Sequence, residues 1–114
     1  MDRELSVVTK AYDLALWLLP QLAKFPREHR FTLGDRLEAG SLDVLEALVE
    51  ASYTRDKRDL LRRANIRLER LRYLARLAKD LRLISLKQYE FAIRSMQSIG
   101  VEIGGWAKRL DAVQ

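Results

Sequence analysis

The chain has no cysteine, two prolines, five glycines and one histidine in 114 residues. Without cysteine there are no disulfides and no thiolate metal ligands, which leans weakly toward the cytosol. The single histidine, His29, has no Asp/Glu cluster at ligand spacing beside it, so no metal site is expected. So few Gly and Pro argue against a loop-rich or all-β fold. The longest apolar run, Leu14 to Leu19, is too short to span a bilayer. The Met-Asp-Arg-Glu start lacks the charge pattern of a signal peptide. These absences predict a soluble, cytoplasmic chain that needs neither membrane nor cofactor. Its length fits one domain, residues 1–114, with a real core.

What is present is helical periodicity. Val8, Ala11, Ala15, Leu18, Leu22 and Phe25 recur three and four residues apart, which predicts a first helix with one stripe toward a core. Asp2 or Ser6 is the expected cap, Pro20 the expected kink and Pro26 the stop. A second helix begins between Arg27 and Thr32 and runs to about Ser52, with Leu37, Ser41, Leu45, Leu48 and Ser52 inward. Its opposite side is acidic: Asp35, Glu38, Asp43, Glu46 and Glu50. The small residues Gly34, Ala39, Gly40 and Ser41 let a neighbour approach it. Thr54 is the expected N-cap of a third helix, with Asp56 in its first turn. The inner seam of that helix reads Leu61, Ala64, Leu68, Leu71, Ala75 and Ala78. Ser85 and Gln88 form a capping box for a fourth helix, with seam Leu86, Tyr89, Ile93, Met96, Gly100, Ile103, Ala107 and Leu110. Short connections make the helices antiparallel neighbours. The fold class is all-α, an up-down-up-down four-helix bundle.

The charge is unevenly placed. Residues 55–82 hold eleven Lys/Arg against four Asp/Glu, a net of +7, while the whole chain is +5. Arg outnumbers Lys fifteen to six, and the guanidinium fork grips phosphate or carboxylate with two hydrogen bonds. A basic stretch on one helix points to a polyanion partner. Arg63, Arg67 and Arg70 line one flank of the third helix, Arg72, Arg76 and Lys79 the other, with Arg58 and Arg62 between. The bland alternatives are i,i+4 pairing such as Asp59–Arg63, or pairing with the acidic second helix.

Apolar residues also occur where a monomer should be polar. Ile66, Tyr73 and Leu77 lie opposite the inner seam of the third helix. Leu14, Leu16, Trp17 and Leu19 make the middle of the first helix apolar nearly all round. Contiguous exposed apolar surface marks interfaces, so self-association is expected through Ile66, Tyr73, Leu77, Leu16 and Trp17.

Two motifs bring a family into view. The segment Phe25-Pro26-Arg27-Glu28-His29-Arg30-Phe31-Thr32-Leu33-Gly34 resembles the Pro-Arg/Lys-x-His junction of the accessory variability determinant (Avd) proteins of diversity-generating retroelements. It also resembles that of the related four-helix bundles encoded in intervening sequences of 23S ribosomal RNA genes. The stretch Ile99-Gly100-Val101-Glu102-Ile103-Gly104-Gly105-Trp106-Ala107-Lys108-Arg109 is similar to the family's closing Gly-x-x-x-(Gly/Ser)-Trp. The resemblance implies a basic homopentameric barrel that associates with a reverse transcriptase and with RNA or DNA during error-prone copying of a template RNA. It would map the family's basic surface onto the third-helix arginines. The acidic second helix departs from the strongly basic character that the resemblance implies.

Other residues carry less. His29 reads as a hydrogen bond fixing the junction ahead of a nucleic-acid contact. Trp17 and Trp106 read as packing ahead of base stacking. Gly100, Gly104 and Gly105 follow no strand and read as close helix packing, not as a phosphate loop. No Ser-His-Asp set, Cys-His set or usable carboxylate pair is visible, so neither catalysis nor a small-molecule substrate is expected. The alternatives to a retroelement accessory protein are an intervening-sequence-type bundle and a protein–protein adaptor that touches no nucleic acid.

Overall fold

Four long helices fold back on one another in chain order. The computed structural model describes residues 3–112, with side chains from Ser6 onward. Helix α1 spans Arg3–Leu22, α2 Arg27–His29, α3 Asp35–Ser52, α4 Arg58–Asp80 and α5 Leu86–Ala112. A π-helical turn, Arg30–Gly34, joins α2 to α3 without a break. Helices α1 and α3, α3 and α4, α4 and α5, and α5 and α1 pack side by side. The four long helices thus stand at the corners of a square, with α1 diagonal to α4. The bundle measures 48 × 23 × 22 Å.

The core is the set of inward stripes. In α4 it is the predicted seam, Leu61, Ala64, Leu68, Leu71, Ala75 and Ala78, all buried. Each leucine taken fully out of water contributes about 1.5–3 kcal/mol. Helix α3 buries Leu37, Ser41, Val44, Ala47, Leu48 and Ala51; Leu45 and Ser52 are only partly covered. The Ser41 hydroxyl is satisfied inside by donating to the Glu38 carbonyl at 2.9 Å. At Gly40 a Cβ would stand 2.9 Å from Leu71 Cδ1, so α3 and α4 meet there at glycine distance.

Several expectations need correcting. In α1 the buried residues include Val7 and Leu14, while Val8 is only partly covered. Leu14 therefore belongs to the core and not to an outer patch. Ser6 lies inside α1 and does not cap it, and Asp2 falls outside the described residues. Pro20 lies inside α1, as expected, and the helix ends at Leu22. Thr54 does not cap α4; its hydroxyl donates to the Glu50 carbonyl at 2.6 Å and closes α3 instead. A hydroxyl serves a free carbonyl at a helix end as readily as a free N–H at a start. The first acidic residue inside α4 is Asp59, not Asp56.

In α5 the seam is rotated. Ala92, Met96, Ile99, Ile103 and Trp106 are buried, whereas Leu86 is 61% exposed. Both stripes have 3-4 spacing. The inner one is the stripe that brings the large indole into the core. Of the glycines in this helix, Gly100 lies at ordinary distance from Leu68, and a Cβ on Gly104 would meet nothing within 4 Å. The expected close packing at Gly104 and Gly105 is therefore not made.

Both ends of the α4–α5 connection form by local rules. Leu83 N–H donates to the Ala78 carbonyl and Arg82 N–H to the Lys79 carbonyl, each at 2.9 Å. This is a Schellman stop with Arg82 at φ 61°, in the left-handed region where glycine is usual. The capping box then starts α5. Gln88 N–H donates to Ser85 Oγ at 3.0 Å, and Ser85 N–H to Gln88 Oε1 at 2.8 Å.

Candidate nucleic-acid interface

Helix α4 sets the site, because its inner seam leaves the opposite side facing outward. At 100° per residue, Ile66, Tyr73 and Leu77 lie within about 40° of one another. They are 48%, 70% and 46% exposed. The bases around them divide into two kinds.

Those nearest the neighbouring helices are occupied. Arg67 Nη1 donates to Asp43 Oδ2 of α3 at 2.9 Å. Arg58 reaches Asp111 of α5 at 3.0 Å. Arg72 is held by Glu69 at 3.0 Å within its own helix. Lys79 pairs with Asp80 at 3.3 Å and sits 4.7 Å above the Tyr89 ring. These pairs are largely solvent-exposed, so each adds at most about 1 kcal/mol of stability.

Arg62, Arg63, Arg70 and Arg76 are different. All four are exposed, and none has a carboxylate partner among the described residues. The predicted Asp59–Arg63 pair is not formed there either. Arg62, Arg63 and Arg70 lie within about 60° of the apolar centre line, by the same helical rotation. With Asp59, Ile66 and Arg67 they line a shallow open groove. A second groove, between α3 and α4, carries Arg36, Asp43, Arg70 and Tyr73. A third, between α4 and α5, carries Glu69, Arg72, Tyr73, Arg76 and Tyr89. Tyr73 stands on the crest between the last two.

Charge and apolar surface therefore share one ridge. The sequence placed Arg63 and Arg70 on one flank, Arg76 on the other and Arg62 between; Arg62, Arg63 and Arg70 stand close to the apolar centre line, and Arg76 lies farther out. Any macromolecule lying on this face meets both. Burying an unpaired guanidinium is costly, so a molecule that covered this face would have to bring anions.

The other predicted interface residues lie elsewhere. Leu16 is 63% exposed on α1, diagonally across the bundle from α4. Trp17 is partly covered, its ring 4.7 Å from that of Phe91. They do not join Ile66, Tyr73 and Leu77 in one patch. Trp106 is a core residue, 2% exposed, with the Lys57 ammonium 5.1 Å over its ring. His29 acts through its backbone: its N–H donates to the Pro26 carbonyl at 2.9 Å, and its carbonyl accepts from the Thr32 hydroxyl at 3.4 Å. No hydrogen bond from its ring is found among the described residues.

The acidic side of α3 is also largely unmatched. Asp43 alone of the five expected carboxylates makes an ion pair among the described residues. Across the bundle, Lys10 of α1 pairs with Glu102 of α5 and donates to Ser98 Oγ at 2.7 Å. Among the described residues no cluster of His, Cys, Asp and Glu could hold a metal ion. No helix there is long and apolar enough to cross a membrane.

These features define a class: a four-helix bundle with one basic, partly apolar outer ridge. Residues 5–110 match the model of the bAvd-like family. The chain belongs to that family and is an Avd-type accessory protein. No curated protein matches it.

Proposed function

We propose that this protein is a non-enzymatic, cytoplasmic accessory factor of a diversity-generating retroelement. It assembles into a basic homo-oligomer, a pentamer as in the Avd proteins it resembles, and holds template RNA or cDNA against a reverse transcriptase. The observation that carries this reading is the set of free guanidinium groups, Arg62, Arg63, Arg70 and Arg76, on the outer side of α4. They neutralise phosphates without reading bases. Arg58, Arg67, Arg72 and Lys79 contribute field and become contacts by exchanging their exposed carboxylate partners. Assembly multiplies the effect, since five copies of +5 total +25. The test is binding of a labelled single-stranded RNA at physiological salt. The wild type should bind, and the Arg62→Glu/Arg63→Glu/Arg70→Glu variant should lose binding for every sequence tried. Equal binding by both proteins would refute the assignment.

A second reading is favoured by the unmatched carboxylates of α3. Asp35, Glu38, Glu46 and Glu50 form an acidic side next to the basic one. In an adaptor or purely self-associating protein, the acidic side of one copy meets the α4 ridge of the next. That assembly falls apart in high salt and leaves RNA unbound. The same RNA-binding measurement separates the two readings.

A further inference from the structure

The antiparallel topology brings the α1–α2 connection and the α4–α5 connection to one end of the bundle. Gln88 Nε2 donates to Gln21 Oε1 at 3.0 Å and ties the two together. Residues 20–34 and 79–88 carry six Lys/Arg and two Asp/Glu. Lys79 is matched by Asp80. Lys24, Arg27, Arg30, Arg82 and Lys87 have no carboxylate partner among the described residues. At the opposite end Arg58 is held by Asp111 and Lys57 by the Trp106 ring.

Two further observations mark this end. Arg82 sits at φ 61° in the Schellman stop. Glycine takes that conformation freely, whereas a side chain there is strained. A strained non-glycine residue is a pointer to function. The second is Phe31, on the π-helical turn. Its ring is 64% exposed, with the Arg30 guanidinium 5.7 Å from its centroid. π-turns persist disproportionately at functional positions.

We infer that this end of the bundle is a second binding surface, for single-stranded nucleic acid, in which an unpaired base stacks on Phe31 and flanking phosphates meet Arg27, Arg30, Arg82 and Lys87. An aromatic ring exposed among free cations is the arrangement that single-strand binders use. An acidic peptide would need the cations and have no use for the ring. The surface goes beyond the α4 ridge and shares no residue with it.

The test compares a labelled oligouridylate with an abasic oligonucleotide of the same length. Arg82→Gly removes the cation and relieves the strained φ. It should melt no lower than wild type, yet reduce the slope of log affinity against log salt by about 0.7, one single-strand phosphate contact. Phe31→Ala should weaken the oligouridylate about tenfold, in the range of one lost stack, and leave the abasic strand unchanged. Wild-type behaviour of both variants overturns the proposal, as does polyglutamate binding with the same sensitivity to both. If Arg82→Gly lowers melting and binding together, Arg82 is structural and its assignment falls. An α4 variant that loses RNA while these two keep it leaves the ridge standing and removes this surface alone. A wild type that binds no RNA removes both.

Discussion

If subunits meet on the crest of α4 at Ile66 and Tyr73, with the long stems of Arg62, Arg63 and Arg70 carrying their charged heads to the solvent rim for phosphate, placing aspartate at both positions should dissolve the oligomer while sparing the fold. Both side chains are outward on α4, 48% and 70% exposed, so the bundle core does not depend on them. Covering a whole Ile or Tyr side chain is worth about 1.5–3 kcal/mol. With about half of Ile66 and over two thirds of Tyr73 open, burial at a contact contributes about 1 and 1.5 kcal/mol respectively on the same scale, or about 2–3 kcal/mol for the pair. At 1.4 kcal/mol per decade, losing it weakens each contact about 30- to 150-fold. Desolvating the new carboxylates would weaken it further. The isolated helix, by contrast, gains. Position 66 lies four residues from both Arg62 and Arg70, where opposite charges add about 0.2–0.5 kcal/mol per pair. Sedimentation velocity at micromolar concentration reads the assembly, and a thermal melt reads the fold. The wild type should sediment as several subunits, and the double variant as a monomer with an unchanged or raised melting temperature. A variant that sediments like wild type, or a wild type that is itself monomeric, would show that the apolar ridge is not the contact.

Two predictions address the fold. Trp106→Ala removes the largest fully buried side chain and should cost about 3–5 kcal/mol in a urea titration, a core truncation; a loss under about 1 kcal/mol would mean the indole is not structural. Ser85→Ala breaks the capping box and should cost about 1 kcal/mol, the usual value for a lost N-cap, with no change in RNA affinity.

The fold was legible where the pattern was narrow. Helix α4 has one apolar stripe on an otherwise charged cylinder, so its seam could be read residue by residue. Helix α5 carries apolar residues nearly all round: Leu86, Phe91 and Val101 outside, Ala92, Ile99 and Trp106 inside. Two stripes then satisfy the same spacing, and only the shape of the facing core selects one. Leu14 has the same explanation in α1. Thr54 was ambiguous because its hydroxyl bonds either side of a helix break. The basic side of α4 was visible as charge. Which arginines are free was not, since pairing depends on Asp43 and Asp111, distant in sequence. The basic end around Arg82 and Phe31 was hidden for a related reason. Its residues come from two connections far apart in the chain, and the left-handed φ of Arg82 has no signature when the residue is not glycine.

The central claim is that the unpaired guanidinium groups of α4 take phosphates from another molecule. The most direct measurement is the slope of log affinity against log salt for a single-stranded RNA, with wild type and with Arg62→Ala/Arg63→Ala/Arg70→Ala. Each phosphate contact accounts for a slope of about 0.7, so the triple variant should be shallower by about 2. Parallel lines for the two proteins would contradict the account.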